Sequence, residues 1–283
     1  MNSKTFWIGL VAALMFGLVG CDSDSGTGGS GGTGGSGGTG GSGGGTGGSG
    51  GGTAEMAMVR VAHLGTDLPD PADTAVDVTV DGMVAIPGLT FAQATAFVPL
   101  PAGEHTFGIN VAGTDTEVFS ITTTLPADSI TTVVAISSVN IEDDDQDVLN
   151  VLVFDGDLSG LPGGSGRVLV GHGFDAVAFA TVDVILPATC AMDGALVEDL
   201  TFASVRDDVG DLPADDYVIA ITPPDSCDPA EGVGPLTAPV TPDVATLLIA
   251  AADATGNPQV YAIVGDFSSG VDMDPIPTLP AAE

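Results

Sequence analysis

The chain has 283 residues, a length that fits about two domains. Its 4 Lys+Arg stand against 38 Asp+Glu, a formal net charge of −34. That balance excludes nucleic acid as a partner, because phosphate binding needs clustered Lys and Arg. A hydrophobic content of 44% excludes a disordered acidic chain.

Residues 1–20 read as a secretory signal. Lys4 supplies the positive start, and Thr5 to Val19 is an apolar run without charge, too short for a comfortable transmembrane span of roughly 20 residues. The run ends in Leu18-Val19-Gly20-Cys21. That string resembles the lipobox of bacterial lipoproteins: an aliphatic residue, a small or aliphatic one, a small one, then Cys. The resemblance implies that Cys21 is lipidated and becomes the first residue of the mature chain. Acyl chains there anchor a protein without spanning. The expected membrane contact is therefore this lipid anchor, and the expected address is the cell envelope, at the outer membrane on its periplasmic face or at the cell surface.

From Gly26 to Thr53 the chain is almost wholly Gly, Ser and Thr, with a period close to GGTGGS. Gly loses the most entropy on ordering, and nothing here can build a core. Residues 21–53 are thus read as the lipidated Cys and a flexible tether. Its mean reach is on the order of 30 Å, with a stretched limit near ~110 Å.

After Ala54 the pattern changes to short β-like runs. Val76, Val78 and Val80 alternate with Asp77, Thr79 and Asp81; Phe107, Ile109 and Val111 alternate with smaller residues. Ile130 to Ile136 is apolar on both faces, as a fully buried strand is. Turn signals recur at Asp81-Gly82, Pro101-Ala102-Gly103, Pro126-Ala127-Asp128 and Asp155-Gly156.

The pattern then repeats after roughly 110 residues. Val59-Arg60-Val61-Ala62-His63 matches Val168-Leu169-Val170-Gly171-His172, and Ala75-Val76-Asp77-Val78 matches Thr181-Val182-Asp183-Val184. Leu89-Thr90-Phe91-Ala92 matches Leu200-Thr201-Phe202-Ala203, and Leu100-Pro101-Ala102-Gly103 matches Leu212-Pro213-Ala214-Asp215. The expectation is an all-β chain with two tandem antiparallel β-sandwich domains, Ig-like or transthyretin-like, over 54–162 and 163–270. A Pro-rich tail over 271–283 follows.

The run from Val59-Arg60-Val61-Ala62-His63 through Ala75–Gly82, Leu89–Ile109 and Val151–Ser159 resembles an uncharacterised domain of secreted bacterial and archaeal proteins, domain of unknown function 4397. The resemblance implies a β-sandwich-like domain, often in tandem in lipoproteins. It implies no catalytic residues.

Cys190 and Cys227 remain after Cys21. Outside the cytoplasm a pair reads as a disulfide. A metal pair would want close spacing and further ligands, and a catalytic thiol a His partner, the nearest in sequence being His172. His63 and His172 fall at matching places, each at the end of a strand. They read as side chains bonding neighbouring loops rather than as bases or ligands. His105 is the third His. The acidic run around Asp143, Asp145 and Asp147 is the best metal candidate, a weak one. Val148 and Phe154 stand where a calcium loop needs Gly and Glu, so the run reads as a solvated hairpin loop. The surface acidity suits high salt. The only Trp, Trp7, lies in the signal, so stacking platforms for sugar are poorly supplied.

The expectation is a non-enzymatic lipoprotein whose head binds, adheres or serves structurally, with no cofactor and an envelope component as partner. The alternatives are a hydrolase or metal-dependent enzyme with its site at the domain junction, and a calcium-stabilised adhesin.

Overall fold

The computed structural model describes residues 55–66, 74–138, 148–190, 194–265 and 273–282. Among the described residues the first half holds nine strands: β1 (Met56–Leu64), β2 (Val76–Val80), β3 (Met83–Leu89), β4 (Gln93–Ala94), β5 (Val98–Pro101), β6 (Gly103–Val111), β7 (Glu117–Leu125), β8 (Ile130–Ser138) and β9 (Val148–Asp155). The second holds β10 (Ser165–Gly173), β11 (Thr181–Ile185), β12 (Val197–Thr201), β13 (Ser204–Pro213), β14 (Asp215–Thr222), β15 (Val233–Val240), β16 (Ala245–Ala252), β17 (Pro258–Val264) and β18 (Asp274–Pro275). Single 3-10 turns form at Val177–Phe179 and Pro229–Glu231. The all-β class read from the period-two runs is the class the chain adopts.

The described strands form four sheets, and their orders correspond. One is β3-β2-β6-β7 and another β12-β11-β14-β15. The third is β13-β10-β16-β17. The fourth is β18-β4-β1-β8-β9, with β5 also pairing on β1. β1 runs parallel to β8, and β10 parallel to β16; the other pairings between described strands are antiparallel. Where β13 lies along β10 unbroken apart from one register shift, the first half uses two short strands, β4 and β5. Thr95 bridges that break. Its backbone N–H donates to Val61 O at 2.9 Å, and its Oγ1 accepts from Val61 N at 3.1 Å.

Alternation along the strands decides the layering. On β1 and β8, Val61 and Ala135 face Val76, Val78, Ile86 and Ile109 of the first outer sheet. On β10 and β16, Val168, Val170, Leu248 and Ala250 face Val182, Val184, Ile219 and Ile221 of the second outer sheet. The opposite faces meet each other: Leu64, Val134, Ile136, Leu152 and Phe154 share a cluster with Leu169, Leu247, Ile249, Tyr261 and Ile263. The two sandwiches are thus stacked back to back over a common middle core. This is why Ile130 to Ile136 and Ala245 to Ala252 are apolar on both faces: their strands have a sheet on each side.

Two glycines set the spacing of the middle layer. A Cβ on Gly171 would stand 2.6 Å from Phe154 Cζ, and one on Gly173 would stand 2.7 Å from Ile136 Cγ2. The matching first-half residues are Ala62 and Leu64; at these two positions the second half leaves room for Phe154 and Ile136 of the first.

The C-terminal segment, expected as a tail, is a strap. β18 pairs antiparallel with β4 of the first half. Further on, Ala262 N donates to Pro277 O, Leu279 N to Val260 O, and Thr237 N to Pro280 O, each near 2.9 Å. Ile276 and Leu279 are buried.

Candidate functional site

The repeated His residues sit deep in the fold. On β1, His63 Nδ1 accepts from Gly65 N at 3.2 Å, so its proton is on Nε2, which donates to Thr74 O at 2.8 Å. His172 on β10 donates from Nε2 to Phe179 O, and its buried Nδ1 has no hydrogen-bond partner among the described residues. Burial pushes both below the ordinary imidazole value, against the opposing pull of the Thr74 and Phe179 carbonyls. Both rings are neutral ties between a strand end and the loop beyond it.

His105 differs. It lies on β6, its Nδ1 is 2.8 Å from Asp81 Oδ2, and its Nε2 is 2.8 Å from Pro101 O. Both neighbours are acceptors, so this geometry uses an imidazolium donating from both nitrogens. The Pro101 carbonyl and the Asp81 carboxylate hold its pKa up.

The Cys190–Cys227 disulfide forms, with Cα atoms 5.7 Å apart. It ties the segment after β11 to the loop after β14. Asp143, Asp145 and Asp147 lie outside the described residues, as does Cys21. Among the described residues, no group of three or more His, Cys, Asp and Glu could hold a metal ion.

A concavity lies where the halves meet. It is a cleft of about 330 Å³ bounded by Met58, Phe97, Ile130, Leu158, Val244 and Leu247, with Arg60, Thr132 and Asp243 as its charged and hydroxyl side chains. Gly156 and Gly265 close it from matching places after β9 and β17. Each of those glycines donates its N–H to the start of the adjacent strand, at Ile130 O and Ala245 O. Neither His63 nor His172 lines it.

Arg60 is the unusual member. It is 2% exposed on β1. Nε donates to Thr132 Oγ1 at 2.9 Å and Nη1 to Gly265 O at 3.4 Å, and the guanidinium carbon lies 4.7 Å from the centre of the Phe97 ring. Burial brings its pKa down to about 10. An Arg so placed suffers desolvation that neutral residues avoid, and its position is one the repeat fills with Leu169. The sequence reading passed over Arg60. The signal available was that mismatch, an Arg opposite Leu between otherwise like strands.

Comparison with protein families finds a match to the model described as domain of unknown function, DUF4397, over residues 57–185. The matched span opens on β1 and closes at the end of β11. No curated protein matches the chain.

Proposed function

We propose that this is a lipid-anchored cell-envelope protein that carries two tandem copies of a DUF4397-like β-sandwich and acts by binding rather than catalysis. The observation that carries the reading is the order of parts along the chain. Leu18-Val19-Gly20-Cys21 is followed by the Gly-rich run, and that run leads within a few residues into β1, a strand at the centre of the head. Lipid at Cys21 and a tether of ~30 Å mean reach hold the head off the outer membrane, on its periplasmic face or at the cell surface. The corresponding sheet orders of the two halves support duplication. The use of His63 and His172 as loop ties supports a head that works through its surfaces and its junction cleft.

The test is fractionation with protease shaving. Wild-type chain is expected in the membrane fraction and Cys21→Ala chain in an unlipidated form. Protease added to intact cells cuts the exposed Gly-rich run and sheds the head if it is displayed outside. Protection until the outer layer is opened assigns it to the periplasm. A wild-type chain recovered wholly as free soluble protein contradicts the anchor.

A further inference from the structure

We propose that the outer edge of β7 is an interaction surface for a second copy of this chain, the two β7 strands pairing antiparallel across a twofold axis. Among the described strands the two outer sheets end on β3, β7, β12 and β15. Natural sheets blunt such edges with Pro, charge, bulges or short length. β3 carries Pro87 and register shifts against β2. β12 is five residues long, holds Glu198 and Asp199, and has a register shift against β11. β15 carries Pro235 and Pro239. β7 runs for nine residues with no Pro and no Lys. Its one charge, Glu117, and its one register shift lie together at the first end, and the rest is Val, Phe, Ile, Leu, Ser and Thr.

The second half shows what this edge accepts. β15 holds the place of β7 in the matching sheet order. Its edge is covered by an extended piece of the strap: Thr237 N donates to Pro280 O at 2.9 Å, Ala282 N to Pro235 O at 3.0 Å, and Leu236 bridges Ala281 antiparallel. Among the described residues no segment pairs with the outer edge of β7. The backbone there is aimed outward. Thr106 N donates to Asp81 Oδ1 and Thr106 O accepts from Asp81 N, so Thr106 turns its backbone groups to the β2 side of β6. Thr122 is its partner across β6 and β7. In such an antiparallel pair both residues point their N–H and C=O away from each other. Thr122, and by alternation Ser120 and Thr124, therefore present N–H and C=O to the open side.

A second copy supplies the complement. On a twofold through Thr122, Thr122 meets Thr122 of the other copy and Ser120 meets Thr124, so each strand gives the donors and acceptors the other needs. The side chains of these residues are exposed on the outer face, and facing Ser and Thr hydroxyls are favourable cross-strand neighbours. The two Glu117 fall on opposite sides of the axis, roughly 34 Å apart at ~3.4 Å per residue, well beyond the ~8 Å Debye length at physiological salt. The net charge of −34 opposes the union at long range, so salt should strengthen it.

This surface goes beyond the binding role proposed above, and its test leaves the anchor out. Residues 22–283, which hold every described strand, are purified and studied by sedimentation equilibrium at concentrations up to millimolar, in about 0.15 M and about 1 M salt. The mass should rise to twice that of one chain, and at lower concentration in the higher salt. Amide exchange at Ser120, Thr122 and Thr124 should slow as the dimer fills. Thr122→Pro removes a donor from the open edge and none from the β6 ladder, so it should stay monomeric; Thr122→Val keeps that donor and should still pair. If Thr122→Pro does not fold, the exchange of the three amides in the unaltered chain decides. The proposal is overturned by a chain that stays monomeric throughout, by assembly that continues past the dimer, or by a dimer that leaves those amides fast. It is equally overturned by a dimer that Thr122→Pro leaves intact or that Thr122→Val abolishes.

Discussion

Asp77 and Asp183 hold the same place in the two halves and do the same work. Each is a buried carboxylate on the second strand of its half. Asp77 accepts from Gly88 N and Gly113 N, both at 2.8 Å; Asp183 accepts from Asp199 N at 2.8 Å and Asp225 N at 2.9 Å. In each half one side chain thus binds the bulged neighbouring strand to the turn across the sheet. Removing it strands two backbone N–H groups, at about 1–3 kcal/mol each. Asp77→Ala and Asp183→Ala should therefore each lower thermal stability markedly, and Asp→Asn, which keeps one acceptor, by less. Calorimetric melting of the four variants checks this.

The His105–Asp81 pair gives the head a pH dependence whose sign follows from both partners. The pKa of His105 is raised, so its contribution is complete below the ordinary value of 6.5 and fades as pH climbs through the raised value. The pKa of Asp81 is lowered, first by its bond from Thr106 N and next by His105, so its contribution is complete above 3.8 and fades as pH drops through the lowered value. The pair is fully formed between about pH 4 and 6.5. An NMR titration should place His105 above a free imidazole, and Asp81→Asn should bring it down. An unchanged His105 midpoint in that variant contradicts the pairing.

Reduction should act on the second half. The Cys190–Cys227 bridge closes a loop with a sequence separation of 37, which the chain-entropy view values at about 4 kcal/mol at most. A reductant, or Cys190→Ser with Cys227→Ser, should lower the melting temperature. Hydrogen exchange should speed first in β11, β12 and β14.

The middle core predicts a cost for size at Gly171. Gly171→Ala would put a methyl against Phe154 and Leu152, and Phe154 lies on a strand of the other half. Overpacking of this kind costs about 1–3 kcal/mol. Gly171→Ala should destabilise, and Phe154→Leu should relieve part of the loss. A double-mutant cycle reads the coupling directly.

Truncation after residue 272 should loosen both halves. The strap spans β4 on one side and β15 and β17 on the other, and it buries Ile276 and Leu279. Faster exchange in β4 as well as β17 is the expected outcome.

Much of this was open to reading from the residues. Alternation and turn pairs mark the strands, and four pairs of like segments in the same order point to a repeat. Ile130 to Ile136 even shows that β8 is covered on both faces. What covers the second face is not written locally. It depends on Gly171 and Gly173 facing Phe154 and Ile136, which belong to other strands distant in sequence. The docking of the Pro-rich tail is hidden for a similar reason. Its carbonyls and N–H groups pair with strand edges, and backbone pairing leaves little trace in side-chain pattern. Arg60 reads as a strand residue until its neighbours across the halves are known.

The most direct test of the anchored-head account is the intact mass of the mature protein from membranes. The account predicts a chain beginning at Cys21, heavier than the bare sequence from that residue by a diacylglyceryl group with or without an amide-linked acyl chain. A mature chain that starts elsewhere, or a Cys21 with a free thiol, would contradict it.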